Sequence, residues 1–504
     1  MASRRDELNA YTFAKKRLLA AFLQPTPSGT EEGAPRPLRA VVPGLIIGVV
    51  IMAAFGAWGM FKPKAPEGWD EPNQKVIIGS DSTTRYVVLV TDDKKQLHPV
   101  LNLASAKLLL DPDKFEIVKV DEKTLDNGDI PHGATLGIPY APDRLPDAGE
   151  ASEAKRWAVC TQPGANGESS QKAAFVLADR EKDKVEGKNR LRRGDIMYVE
   201  GPGARLYVID KSGTAYPIAR DPNLLLNVVG KTRNEPQRVT EDWLKTFKKG
   251  DTIQFPTVER IGDPAGAPGN LDANANKIGT VLKAETGDGP QHYVVLERQV
   301  RPVTDFMAKL LLNSEESVPL GQHGKPTAVN SGAISPSNDI YGGTLKWPEH
   351  EAETVNKSDG DRGTLCNVLR DVDKGKGTTK LSTWAGGDYP AALPNGATSA
   401  YVTPGSGLLF RQIKGQDTKS GGVFLVTDTG LRYAVQGNTD SGTDESEIGT
   451  DGKKREESQG EGNAAQLRLG FKDATPVPVP AAWSQFLPTG PRLSTNAAKQ
   501  PQGS

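Results

Sequence analysis

The segment VVGKT at 228–232 is the nearest approach to a chemical motif in this 504-residue chain. Gly230, Lys231 and Thr232 match the end of a phosphate-binding loop, whose backbone N–H groups and lysine hold phosphate oxygens. The first glycine of that motif falls at position 225, which is Leu225. The segment also follows an apolar, helix-like run, whereas a phosphate loop leads from a strand into the helix it opens. A structural helix ending at Gly230 accounts for the same residues. The five histidines (His98, His132, His292, His323 and His350) show no HxxH or HExxH spacing. Two lone cysteines, Cys160 and Cys366, cannot form a CxxC pair or a four-ligand zinc site. No G-x-S-x-G elbow is present. The sequence therefore predicts no catalytic residue, no cofactor and no metal, with the residues at 230–232 as a weak nucleotide candidate.

The elements around these residues are repeated. HPVLNLASAKLLL at 98–110 returns as RPVTDFMAKLLL at 301–312, and weaker copies occur as AYPIARDPNLLLNVVG at 215–230 and LRYAVQG at 431–437. Each follows a β-rich run: YVVLV at 86–90, LYVID at 206–210, YVVLE at 293–297 and VFLVTD at 423–428. Repetition of this kind sets the architecture before any local reading. His98 falls in a slot that holds Tyr216, Arg301 and Tyr433 in the other copies, which argues against a ligand or base. The leucines at 108–110 read as core. High Gly and Pro usage (54 and 37 residues) favours short strands and turns over a helical bundle. A net charge of −1 gives no basic field for nucleic acid.

From Ala40 to Phe61 there is no charged residue. As a helix this run spans roughly 33 Å, enough for a bilayer core. A cleaved signal has a shorter apolar run and a shorter leader. Arg4, Arg5, Lys15, Lys16, Arg17, Arg36 and Arg39 precede the run, against Lys62, Lys64 and Lys75 after it. The positive-inside tendency then places residues 1–39 in the cytoplasm and everything after 62 outside. Residues 4–23 read as an amphipathic helix, with Leu8, Tyr11, Leu18, Leu19, Phe22 and Leu23 near one stripe. It suits anionic lipid, a cytoplasmic partner, or plain solvation. A Pro/Gly-rich linker joins it to the anchor.

The expected fold class is α+β and β-rich: one transmembrane helix at 40–61, a stem at 62–75, and an elongated extracytoplasmic body. Four repeat domains are expected at 76–130, 195–260, 275–319 and 407–475. A central β domain is expected from 131–194 and 320–406. Residues 437–463 have the composition of a disordered loop. An extended segment and polar tail fill 476–504, pinned by Trp483 and Phe486. Cys160 and Cys366 occupy equivalent places in the two halves, beyond the anchor, where disulfides are permitted. They can meet across a pseudo-twofold axis, or remain two buried free thiols.

The ordered combination of basic N-terminal helix, single anchor, four repeats with YVVLV/YVVLE strands and AKLLL helices, one Cys per half, and the late VPVPAAW…LPTGP segment resembles EccB. EccB is the membrane-anchored core component family of actinobacterial type VII (ESX) secretion systems. The resemblance spans almost the whole chain. It implies a cytoplasmic N-terminus, four repeat domains around a central β domain, and a disulfide joining the halves, onto which Cys160 and Cys366 map. It also implies assembly with EccC (the ATPase motor), EccD and EccE, a nearby mycosin protease, and self-association of the body. The repeats resemble phage-lysin cell-wall-binding modules, which raises possible peptidoglycan contact. Some family members carry an ATPase label, for which this sequence offers only Gly230, Lys231 and Thr232. The expected function is a structural subunit of the secretion complex. The alternatives are an extracytoplasmic nucleotide hydrolase and a peptidoglycan-binding anchor.

Overall fold

The computed structural model describes residues 3–23, 38–60, 65–164, 170–229, 235–356, 362–393, 399–436 and 464–502. It forms two units, Met1–Glu67 and Gly68–Ser504. The first holds α1 (Arg4–Leu23) and α2 (Leu38–Met60). Within α2, Val41–Trp58 has a mean hydropathy of 2.2 and is long and apolar enough to cross a membrane. Among the described residues it is the one such helix. The apolar stripe expected on α1 is interrupted. Lys15 lies four residues from both Tyr11 and Leu19, so at 3.6 residues per turn it falls within the stripe.

The second unit is sheet-rich. The first repeat holds β1 (Lys75–Gly79), β2 (Arg85–Thr91), β3 (Lys94–Pro99), α3 (Leu103–Leu109) and β4 (Glu116–Val120). Two short helices, α4 (Glu122–Leu125) and α5 (Ala148–Ser152), lead to the hairpin β5 (Arg156–Gln162) and β6 (Gln171–Leu177). The second repeat comprises β7 (Asp195–Gly201), β8 (Arg205–Asp210), β9 (Thr214–Pro217), α6 (Pro222–Val229) and β10 (Gln237–Arg238). It is followed by α7 (Glu241–Leu244) and β11 (Lys248–Lys249). The third has β12 (Val281–Thr286), β13 (Gly289–Leu296), β14 (Gln299–Val303), α8 (Asp305–Asn313) and β15 (Thr327–Val329). Then come β16 (Glu353–Thr354), which pairs with β7, and the strands β17 (Thr364–Val372), β18 (Thr379–Gly386) and β19 (Ala400–Val402). The fourth repeat has β20 (Gly407–Ile413), β21 (Val423–Thr427), β22 (Arg432–Val435), α9 (Ala464–Arg468) and β23 (Val477–Pro480), with α10 (Ala481–Ser484) and α11 (Thr495–Ala498) after it.

All four repeats share one strand order: third, second, first, fourth, the fourth running parallel to the first. The helix needed to reverse the chain for that parallel strand is the Leu-rich one. Its start is set by local chemistry. Asn102 accepts from Ser105 N (3.0 Å) at α3, and Thr304 accepts from Met307 N (3.1 Å) at α8. Leu108, Leu109 and Leu110 are buried, as are Leu310, Leu311 and Leu312.

Three placements differ from the sequence reading. Val477–Pro480 is the fourth strand of the last sheet, not a separate extended segment. It holds two prolines and is an edge strand, where a missing N–H is tolerated. β15 and β16 belong to the third and second sheets, not to the central domain. The polar tail is also built in. Leu493 and Ala498 are fully buried, Leu493 bridges Val435, and Pro501 bridges Leu136. Composition alone hid the last of these, because the few residues that anchor the tail stand among polar ones. The loop expected at 437–463 lies outside the described residues.

The central sheet runs β18-β17-β5-β6-β19. Its middle pair, β5 and β17, is antiparallel, with Cys160 opposite Cys366. The two are bonded, with a Cα–Cα distance of 4.0 Å and a sequence separation of 206. Both are completely buried. One core joins this sheet to the second and fourth repeats, another joins the first repeat to the fourth, and a third joins the second to the third. Closing a loop of this length is worth about 5 kcal/mol in the chain-entropy model. A thiol reductant should therefore leave the bond intact in the folded protein and open it only in denaturant. Replacing both cysteines by alanine should lower the unfolding free energy by up to about that amount. Free thiols found by mass spectrometry in native, reductant-treated protein would contradict this burial.

Candidate functional site

Gly230, Lys231 and Thr232 lie outside the described residues. The described chain reaches them from the C-terminal end of α6. That end presents carbonyl groups and a partial negative charge, the reverse of what a phosphate requires.

The third-strand slot has a packing role. His98 is buried and its Nδ1 lies 2.9 Å from Ala134 O, with burial lowering the imidazole pKa. A Cβ on Gly133 would stand 2.2 Å from the His98 ring. The same arrangement recurs at Gly250 against Tyr216 (2.2 Å) and Gly490 against Tyr433 (2.5 Å). Each glycine lies in a segment that pairs beside the third strand of its repeat. An aromatic ring on bare backbone is thus a device of three repeats. The signal was present in the sequence as His98, Tyr216 and Tyr433, but their glycine partners lie 34 to 57 residues further on.

Two dispersed histidines do come together. His292 Nδ1 is 3.0 Å from Asp305 Oδ1, and His350 Nδ1 is 3.7 Å from Asp305 Oδ2. Asp305 opens α8, and Glu349 O accepts from Phe306 N (3.4 Å). The cluster pins the 347–350 segment to the third repeat. Beside it is a cavity of about 270 Å³ lined by Asp195, Asp210, Ser212, Tyr216, Trp347 and His350. Its polar groups are largely consumed locally. Asp210 accepts from Ser212 N (2.9 Å), Ser212 Oγ (2.8 Å), Thr214 N (2.9 Å) and Tyr216 OH (3.1 Å). Burial, and then Asp210, push the Tyr216 phenol well above its ordinary value, so it stays a donor. This set holds a turn; it does not poise a base against a nucleophile. His132 pairs with Asp126 at 3.4 Å, and His323 sits at a left-handed turn.

Among the described residues, Asp81, Asp121 and Glu122 bring carboxylate oxygens within 4.8 Å of one another. Glu122 is already engaged by Ser82 N (2.7 Å), Asp81 N (2.9 Å) and Ser80 Oγ (3.0 Å). The carboxylate staples the β1–β2 turn to α4.

What the arrangement does build is junctions. Phe306 and Leu310 of α8 enter a core with Leu224 and Val228 of α6. At the first–fourth junction, Arg468 Nη1 donates to Leu110 O (2.5 Å) and Lys107 Nζ to Leu469 O (3.3 Å). Each thereby satisfies a carbonyl at the end of the other's helix. The sequence profile of the family described as "Type VII secretion system ESX-1, transport TM domain B", EccB, matches residues 1–503. The chain belongs to the EccB family. It is 25% identical over 411 residues to the ESX-1 secretion system ATPase EccB1 of Mycolicibacterium smegmatis, covering 79% of each chain. It is 24% identical over 480 residues to the ESX-3 secretion system ATPase EccB3 of Mycobacterium tuberculosis, covering 90% of this chain and 81% of that one. In structure it resembles a chain of an intact ESX-5 inner membrane complex, with a TM-score of 0.58 at 20% identity, over 100% of this chain and 96% of that one. It also resembles the EccB3 dimer from the ESX-3 core complex, with a TM-score of 0.56 at 22% identity, over 84% and 99%. These likenesses establish an EccB fold for the body.

The backbone N–H of Ser82, then that of Asp81, hold the Glu122 pKa down from 4.5 to about 2. A depressed carboxylate stabilises the fold above its ordinary pKa, and that contribution is lost as pH falls through the folded value. A carboxyl-resolved titration should give Glu122 a midpoint near 2, and Glu122→Gln should weaken the turn at neutral pH. A midpoint near 4.5 would remove the staple.

Proposed function

We propose that this protein is a non-enzymatic structural subunit of a type VII (ESX) secretion membrane complex. The observation that carries this reading is where the repeated residues go. The apolar positions that recur between repeats are spent on cores shared between domains. Membership of the EccB family supplies the system. On this reading α2 is the membrane anchor, residues 1–39 are cytoplasmic, and the body after residue 62 is extracytoplasmic, as the Lys and Arg asymmetry favours. The partners are the EccC, EccD and EccE type membrane subunits, with a mycosin protease nearby. The body self-associates, in keeping with a fold like that of the EccB3 dimer. Possible peptidoglycan contact through the repeats stays a secondary role.

Affinity purification of the tagged intact chain from its own membranes should recover the other membrane subunits. Recovery of the chain alone, under detergent conditions that keep a membrane complex together, would count against the proposal. Labelling of single cysteines introduced at Ser28 and Ser80 with a membrane-impermeant reagent in whole cells should mark only the second.

One observation favours a rival. The relatives named above bear the word ATPase. If this chain hydrolyses ATP through Lys231, the purified protein should turn ATP over and Lys231→Ala should abolish it. We expect no turnover above that of the variant.

A further inference from the structure

Between β6 and β7 the chain crosses the central sheet as two tight helical turns, Asp179–Val185 and Gly187–Asn189. Over 179–193 it carries seven Lys or Arg against four Asp or Glu, in a protein of net charge −1. Glu186, between the turns, is the focus. Its Oε1 accepts from Arg156 Nη1 (2.8 Å) and from Arg370 Nη2, and its Oε2 accepts from Arg190 Nη1 (2.9 Å). Arg370 Nη1 also donates to Ser382 Oγ (3.0 Å). Three guanidiniums, from β5, β17 and the connector, thus converge on one carboxylate. Asp179 acts on Arg156 as well, but Lys182 Nζ already pairs with it at 3.0 Å.

A network built only for stability gains most from one-to-one pairing, because each half-buried ion must recover its lost hydration from a partner. Here the balance is three to one. Burial, and then Arg370, lower the Arg156 pKa, so the like charges press on one another despite Glu186. The cluster is also open. Arg156 and Glu186 keep about a fifth of their side-chain surface and Arg190 keeps 43%. Each guanidinium has five N–H groups in a planar fork, and the bonds above engage only one nitrogen of Arg156 and one of Arg190. The excess is two positive charges, presented as forks that match oxyanion edges in paired hydrogen bonds.

We propose that Arg156, Arg190 and Arg370 form a binding site for a phosphate-class dianion on the central domain. Glu186 gathers the three forks in its absence. The dianion is either a free phosphate or the monoester headgroup of an anionic lipid.

The test uses the intact chain in neutral detergent, with calorimetric titration at constant ionic strength. Inorganic phosphate is one probe and short-chain phosphatidate the other. Binding is expected to one or both, and to weaken by about tenfold or more in Arg190→Gln, the most exposed of the three, for loss of one charge-assisted pair. Lys182→Gln, on the same turn but outside the cluster, should leave it unchanged. Glu186→Gln should tighten binding, an outcome that a purely structural network does not predict. Binding of phosphatidate alone assigns a headgroup, and binding of both assigns a free oxyanion. Binding of neither probe overturns the proposal. So does binding that Arg190→Gln leaves intact, or that chloride reproduces at equal ionic strength.

Discussion

The bonded pair Cys160–Cys366 joins β5 of the first half to β17 of the second, inside the central sheet that the two halves build together. On either side of it stand two repeats of one strand order. Antiparallel pairing sets β5 opposite β17, and by strand order and place in the chain the first repeat matches the third and the second matches the fourth. By the same correspondence the first–fourth junction matches the third–second junction. The cores obey this: α3 packs with α9 and α11 at one end, and α6 packs with α8 at the other. The duplicated halves therefore do not each close on themselves. Each half lends its first repeat to the other half's second, and the central strands, bonded in register, hold the exchange in place.

That arrangement explains why polar groups are so thoroughly used. A repeat sheet here packs its helix into cores shared with a neighbouring repeat. Its outer groups must find partners in the neighbouring repeat or in local turns. Asp210, Glu122, Arg468 and Lys107 all do so. Side chains fixed in this way are poorly suited to acid–base work, which needs a group free to change its proton.

How much of this was legible in the sequence follows from distance along the chain. The AKLLL helices and the YVVLV and YVVLE strands are local patterns, and they appeared where periodicity placed them. The duplication made a bridge between the cysteines possible, and the resemblance to EccB implied it; the bond itself is seen in the structure. Residues such as Gln237–Arg238, too short for any pattern, and Val477–Pro480, with two prolines, are strands because a neighbouring strand offers its edge. Local propensity cannot report that. His292 and His350 meet through Asp305, and Gly133, Gly250 and Gly490 meet their rings, by the same long-range route.

The Arg156–Arg190–Arg370 cluster is one place where the two halves differ. Four residues before each of the paired cysteines, Arg156 corresponds to Arg362. Arg362 donates to Ala385 O (3.1 Å) and Asn189 O (3.2 Å), neutral acceptors that fasten the same connector. One copy of the position is therefore a plain tie between backbone segments, and the other gathers charge. Packing requires the two to be alike only in their role as ties. A difference between matched positions that raises electrostatic cost points to a demand from outside the fold.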